Sequence, residues 1–165
     1  MATTTMTTLD KVEHILEHVK HVQENCYKLG VKLIKEGRED LGIALIRNGQ
    51  KHDNSKFTGL EFKHLFEGDP LLGEAISQHN TNNEHHPERW GSIHNMPQEF
   101  IAEMVCDCAA RSSEFGSGIR EWFSDKATLK YGFTMDDEVG TAITCFLDML
   151  LTPQFNPFKS KHTEN

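Results

Sequence analysis

Apolar residues recur every three or four positions along most of this chain, and nowhere do they alternate over the length of a strand. Val12, Ile15, Val19, Val22, Cys26 and Leu29 form one such stripe between Asp10 and about Gly37, with Gly30 as a weak point within it. Leu41, Leu45 and Ile46 form a second over residues 39–51, and Gly59 to Phe66 adds a short helical piece. Asp69-Pro70 reads as an N-cap and first-turn proline for a helix through Leu72, Ala75, Ile76 and His79. Residues 80–96, rich in Asn and His, read as an irregular loop. Pro97 then opens a helix carried by Phe100, Met104 and Asp107, while glycines 116, 118 and 132 break residues 112–133. Thr134, with Asp137 three residues on, predicts a capping box for a last helix that buries Val139, Ala142, Ile143, Phe146 and Leu150. The expected architecture is all-α: one helical domain of about five to seven helices over residues 10–152. A loose Thr-rich start is expected at 1–9 and a polar tail at 153–165.

The charge balance narrows the partners. Twenty-five acidic residues against 17 basic ones give a net charge of -8, which argues against binding to a nucleic-acid backbone or an anionic membrane. No apolar run approaches the length of a membrane span, so a cytoplasmic protein is expected. The four cysteines form no C-x-x-C pair and read as reduced core thiols. A homodimer is compatible with all of this.

Histidine is the unusual residue: there are ten, most of them before residue 95. At about 100° per residue, His18 lies roughly 80° from the centre of the first stripe, at the core edge, whereas His14 and His21 lie farther round. His52 stacks below Leu41, Leu45 and Asn48 on the inward face, and Asp53 follows it. Asp107 is in register with Phe100 and Met104, although Arg111 one turn on would also suit it as an ion-pair partner. His79 ends the ridge of Leu72, Ala75 and Ile76, and His85-His86 adds to the set from the loop. A buried acid is costly unless paired or bound to a metal. Imidazoles and carboxylates together suit zinc, manganese, iron, nickel or cobalt rather than calcium. His64, His94 and His162 are read as structural.

The box Lys51-His52-Asp53-Asn54-Ser55-Lys56-Phe57, a histidine 34 residues upstream and a later helical aspartate resemble the HD superfamily of metal-dependent phosphohydrolases. The resemblance implies that His18, His52, Asp53 and Asp107 are the ligands of a primary metal site. His79 and one of His85 or His86 would build a second position, as in the H-D-x-G-K form that Ser55 and Lys56 approximate. The run from Asn82 to Trp90 and the helix Met104 to Asp107 look more narrowly like a little-characterised phage and bacterial HD-like family. Asn54, Ser55 and Lys56 stand where nucleotidase members carry a water-positioning glutamate; Glu61, Glu84 and Glu88 are the candidates for that role.

The resulting expectation is a hydrolase of a nucleotide or another small phosphoester, with one or two divalent cations per chain. Asp53 would bridge two metals. Lys56 and Arg111 would hold phosphate oxygens, since an acidic protein needs local cations to attract an anion. Trp90 would stack on a base or cap the core, and Gly116-Ser117-Gly118 would form a lid or a plain loop. The rival expectations are a di-iron oxygenase of the same superfamily, with Lys56 binding substrate, and a non-catalytic nucleotide-binding protein.

Overall fold

Thr7 opens the first helix. Its hydroxyl accepts from the Asp10 N–H at 3.2 Å, and the Asp10 carboxylate accepts from the Thr7 N–H at 2.8 Å, a reciprocal capping box. Helix α1 (Thr8–Lys35) therefore starts inside the stretch expected to be loose, two residues before Asp10. The computed structural model describes residues 6–153; the tail from residue 154, with His162, lies outside them.

Helix α1 ends at Gly37, whose φ of +81° a side chain would resist. There Gly37 N–H donates to Ile34 O and Arg38 N–H to Leu33 O, closing the helix end as a Schellman turn. The chain doubles back into α2 (Glu39–Lys51), which has the limits the periodicity predicts. Gly30 proves to be a contact point rather than a weak one. A Cβ on Gly42 would lie 2.5 Å from the Gly30 carbonyl oxygen, and one on Gly49 would lie 2.6 Å from the Cys26 Cβ. The two backbones touch because these side chains are absent. Gly42→Ala is expected to push the pair apart and cost about 1–3 kcal/mol, read as a lowered urea midpoint with unchanged slope.

After a 3₁₀ turn at Asn54–Phe57 come α3 (Gly59–His64) and α4 (Leu72–Asn82), then 3₁₀ turns at Pro87–Trp90 and Ile93–Asn95. Helix α5 (Gln98–Phe115) follows, then α6 (Ile119–Trp122), a π turn at Phe123–Ala127, α7 (Thr128–Tyr131) and α8 (Glu138–Leu151). The pieces from α6 to α7 run on from one another, so the described residues form seven helical stretches and no strand.

Three local expectations change. Asp69-Pro70 lies in a turn ahead of α4: Asp69 accepts from Leu71 N–H at 2.8 Å, and the helix starts at Leu72. Helix α5 runs through residue 112 and stops only at Gly116, with φ +66°, which makes the Gly116 to Gly118 stretch a helix-ending turn. Asp137, not Thr134, caps α8. Its carboxylate accepts from both Gly140 N–H and Thr134 N–H, at 2.9 Å each, a double role that the single Thr134 hydroxyl has no geometry to fill.

The apolar core is formed by α1, α2, α5 and α8, with Val22, Cys26, Leu29, Leu45, Val105 and Phe146 among its buried members. Nothing between residues 46 and 89 joins that core. The α3–α4 segment packs on itself and on the turns either side of it, buries Ala75, and turns Glu61 and His79 toward the bundle.

Candidate metal centre

Four segments bring polar side chains to one point between the bundle and α3–α4. On α1 the flank of the apolar stripe buries His18 to 5% exposure, while His14 is exposed and His21 half-buried. Helix α2 ends at His52, where ψ swings to 130° and the chain leaves the helical path. Asp53 then adopts φ +57°, the one positive φ of a non-glycine residue among the described residues. That conformation is costly for an ordinary side chain and more tolerable for Asp or Asn. It turns the Asp53 carboxylate, 1% exposed, into the middle of the cluster. Helix α5 contributes Asp107, and α4 with the loop after it contributes His79, His85 and His86.

The two oxygens of Asp53 face different partners. Oδ2 lies 3.6 Å from His18 Nε2 and 3.4 Å from His52 Nε2, and Asp107 Oδ1 closes this side at 3.0 Å from His18 Nε2. Oδ1 lies 3.4 Å from both His79 Nε2 and His85 Nε2. Ligands around a cation with bonds of about 2.1 Å stand about 3.0–3.4 Å apart, so these separations are close to coordination spacing. His18, His52 and Asp53 form one compact donor group and His79, His85 and His86 another, each with ligand atoms within 4.8 Å of one another. Of the two adjacent loop histidines, His85 faces Asp53, and His86 stands beside it against the His79 ring.

A second layer of carboxylates sets the imidazoles. His52 Nδ1 donates to Glu103 at 2.9 Å, His79 Nδ1 to Glu61 at 2.8 Å and His18 Nδ1 to Glu114 at 3.1 Å; His85 Nδ1 lies 3.4 Å from Glu103. A proton on Nδ1 leaves the Nε2 lone pair pointing inward, the tautomer that a metal ligand needs. Glu103 and Glu114 were not candidates from sequence. Glu103 carried a local signal, lying one helical turn before Asp107 on the same inward face. Glu114, seven residues after Asp107 on the same helix, carried a weaker one, and its partner is 96 residues away. Of the three glutamates weighed for positioning water, Glu61 lines the central cavity, while Glu84 and Glu88 are exposed.

Burial opposes charge on Asp53, but the His52 imidazole and Lys56 ammonium outweigh it and hold the carboxyl well below the usual carboxylate range. Asp107 is likewise held low against its burial by His18 at 3.0 Å, His52 and Arg111. Burial, then the neighbouring His85 and His79, push His86 down to about 2, so its ring is neutral. Five carboxylates (Asp53, Glu61, Glu103, Asp107 and Glu114) thus surround a site whose fixed side-chain cations are Lys56 and Arg111.

This donor set fits divalent cations. Among the described residues nine buried side-chain N and O atoms lack a directed hydrogen-bond partner, and eight belong here: the Nε2 atoms of His18, His52, His79, His85 and His86, both oxygens of Asp53, and Asp107 Oδ1, with ion contacts alone at Asp53 Oδ2 (Lys56, 2.6 Å) and Asp107 Oδ1 (His18 Nε2, 3.0 Å). Unpaired buried polar atoms are rare and costly. Their convergence, together with the surplus negative charge, is what bound cations would relieve.

One edge of the centre, His18 and His79 with Lys56 and Arg111, forms the floor of a cavity of ≈ 250 Å³. Lys56 Nζ lies 2.6 Å from Asp53 Oδ2, and Arg111 Nε 3.4 Å from Asp107 Oδ1, so the Asp107–Arg111 pair and the inward carboxylate coexist. A separate polar cleft on the far side reaches His52, His85 and Glu103. Trp90 lines neither space: it packs on Phe100 with ring centroids 5.6 Å apart and donates its indole N–H to Glu84 O. His64 pairs with Asp69 and His94 with Gly132 O, both outside the cluster. The four cysteines are free thiols. No described helix is long and apolar enough to cross a membrane.

No curated protein and no solved structure matches the chain. A family model does match residues 61–149, from Glu61 into the last turn of α8, and on that match the chain belongs to the family of unknown function DUF5662.

Proposed function

We propose that this protein is a metal-dependent phosphohydrolase acting on a nucleotide or another small phosphoester. The observation that carries the reading is the placement of Asp53 between two histidine groups, with Lys56 and Arg111 on the same cavity floor. His18, His52, Asp53 and Asp107 would hold one cation and His79, His85 and His86 a second with Asp53 between them, from among manganese, zinc, cobalt, nickel and iron. A divalent cation in such a donor set supplies the Lewis acidity that lets water act as a nucleophile at neutral pH.

The chain's own residues do the rest. Glu61, Glu103 and Glu114 keep the imidazoles aimed inward. Lys56 places a point charge against one phosphoryl oxygen, and the guanidinium of Arg111, anchored through Nε on Asp107, offers its remaining N–H groups to another. Hydrolysis consumes one water: its oxygen bonds to phosphorus, the ester oxygen leaves with a proton, and inorganic phosphate and an alcohol are released.

The test is elemental analysis of protein purified without chelator, followed by phosphate-release assays. One or two manganese, zinc, cobalt or nickel ions per chain are expected, with phosphate release lost on chelation and restored on reloading. About two irons per chain with oxygen uptake and no phosphate release would replace the hydrolase by an oxygenase. No metal even after supplementation would overturn the metal reading altogether.

A further inference from the structure

The cavity above the centre has two chemically distinct halves. Its floor is ionic. Its wall is hydrocarbon: Ile15 from α1, Leu65 and Phe66 after α3, Leu72 and Ile76 from α4, and Phe115 at the end of α5. Ile76 is 43% exposed and Phe115 75%, so part of this apolar surface is open at the mouth. No amide or hydroxyl side chain lines the space.

A nucleoside needs partners for its base edge and its ribose hydroxyls, because a polar group pressed against hydrocarbon without a hydrogen bond costs about 1–3 kcal/mol on protein mutational scales. The hydrocarbon side chains have none to give, and Glu61 and Glu114 in the lining are already held by His79 and His18, which leaves His14 as the one polar side chain outside the floor. At ≈ 250 Å³ the cavity also lies just under the usual range for small-molecule sites, about 300–1,000 Å³. From these observations we infer that the substrate is a small monophosphate ester of an apolar alcohol, aromatic or branched aliphatic, with its anionic head on Lys56 and Arg111 and its carbon body against Leu65, Phe66, Leu72 and Ile76. The inference rests on the hydrolase reading for its chemistry and on the cavity wall for its selectivity. One water is consumed, and the products are inorganic phosphate and the apolar alcohol or phenol.

The experiment uses the manganese-loaded full chain in two arms. In the first, initial rates are compared for phenyl phosphate and 3-methylbutyl phosphate against glycerol phosphate and adenosine monophosphate. The two apolar esters are expected to give kcat/KM at least about tenfold higher. In the second, calorimetry compares phenylphosphonate with methylphosphonate, which bind without being hydrolysed; phenylphosphonate is expected to bind at least about tenfold more tightly. Equal or better turnover of the polar esters would overturn the inference and leave the hydrolase standing. No turnover of any ester, with phenylphosphonate still preferred, would overturn the hydrolase and keep the apolar site. No turnover and no preference would overturn both. Ile76→Asn, a change on an exposed helix face, is expected to cut the phenyl-to-methyl binding ratio at least about threefold. An unchanged ratio would remove α4 from the site.

Discussion

Asp53→Asn is expected to empty both halves of the donor set at once. In the wild type each carboxylate oxygen serves a different histidine group, 3.4 Å from His52 and His85 respectively. An amide keeps the shape but replaces one oxygen by NH₂, which cannot donate a lone pair to a cation. Asn also tolerates the φ of +57°, whereas Ala would add backbone strain and blur the result. Bound metal should fall at least about tenfold, since even changes outside the ligand set commonly cost 10–100-fold in affinity. The melting temperature gives an independent reading. A cation at a hundredfold excess over its dissociation constant stabilises the fold by about 2.7 kcal/mol, a rise of about 5–10 °C in a domain of this size. That rise should vanish in the variant. If Asp53→Asn holds as much metal as the wild type and melts with the same metal response, Asp53 does not bridge.

Glu103 is expected to matter almost as much, although it is not placed as a ligand. Its Oε1 accepts from His52 Nδ1 at 2.9 Å and lies 3.4 Å from His85 Nδ1, so one carboxylate orients a histidine from each group. Burial opposes its charge, but the hydrogen bonds from His52 and His85 keep it ionised, below the usual glutamate range. Glu103→Gln retains an acceptor and should weaken metal binding about tenfold; Glu103→Leu leaves buried N–H donors without a partner and should weaken it about a hundredfold or more. Metal titration by calorimetry would show the order wild type, Gln, Leu, with helix content by circular dichroism confirming that both variants fold. Equal affinities across the three would make Glu103 a packing residue.

The features legible in the sequence were those carried by local geometry. The rotation between His18 and its neighbours on one helix is set by about 100° per residue, so its turn toward the core could be read before any partner was known. The limits of α2 follow from its stripe, whereas the turn that takes His52 and Asp53 off the helical path shows only in the structure. The rest depended on what the chain meets elsewhere. Glu114 reaches His18 only because α1 and α5 lie side by side. Gly30 looked like a flaw in a helix because the Gly42 carbonyl that fills the missing side chain's place belongs to another one. At the start of α8, Thr134 and Asp137 are both good caps, and only the three-dimensional turn decides which oxygen reaches two N–H groups.

The α3–α4 segment lies outside the main apolar cluster, with Ala75 its one fully buried apolar side chain, yet it carries Lys56, Glu61 and His79 at its margins and four side chains of the cavity wall. Much of what it presents to the bundle is charged or polar, where most of the molecule's cohesion is hydrocarbon. A region held in this way behaves as its own cooperative unit, opening at a free energy set by the charges beneath it rather than by the global stability of the bundle. The wall that selects a substrate and the charges that would hold a metal are joined in that unit, so loss of charge balance at the floor loosens the wall above it.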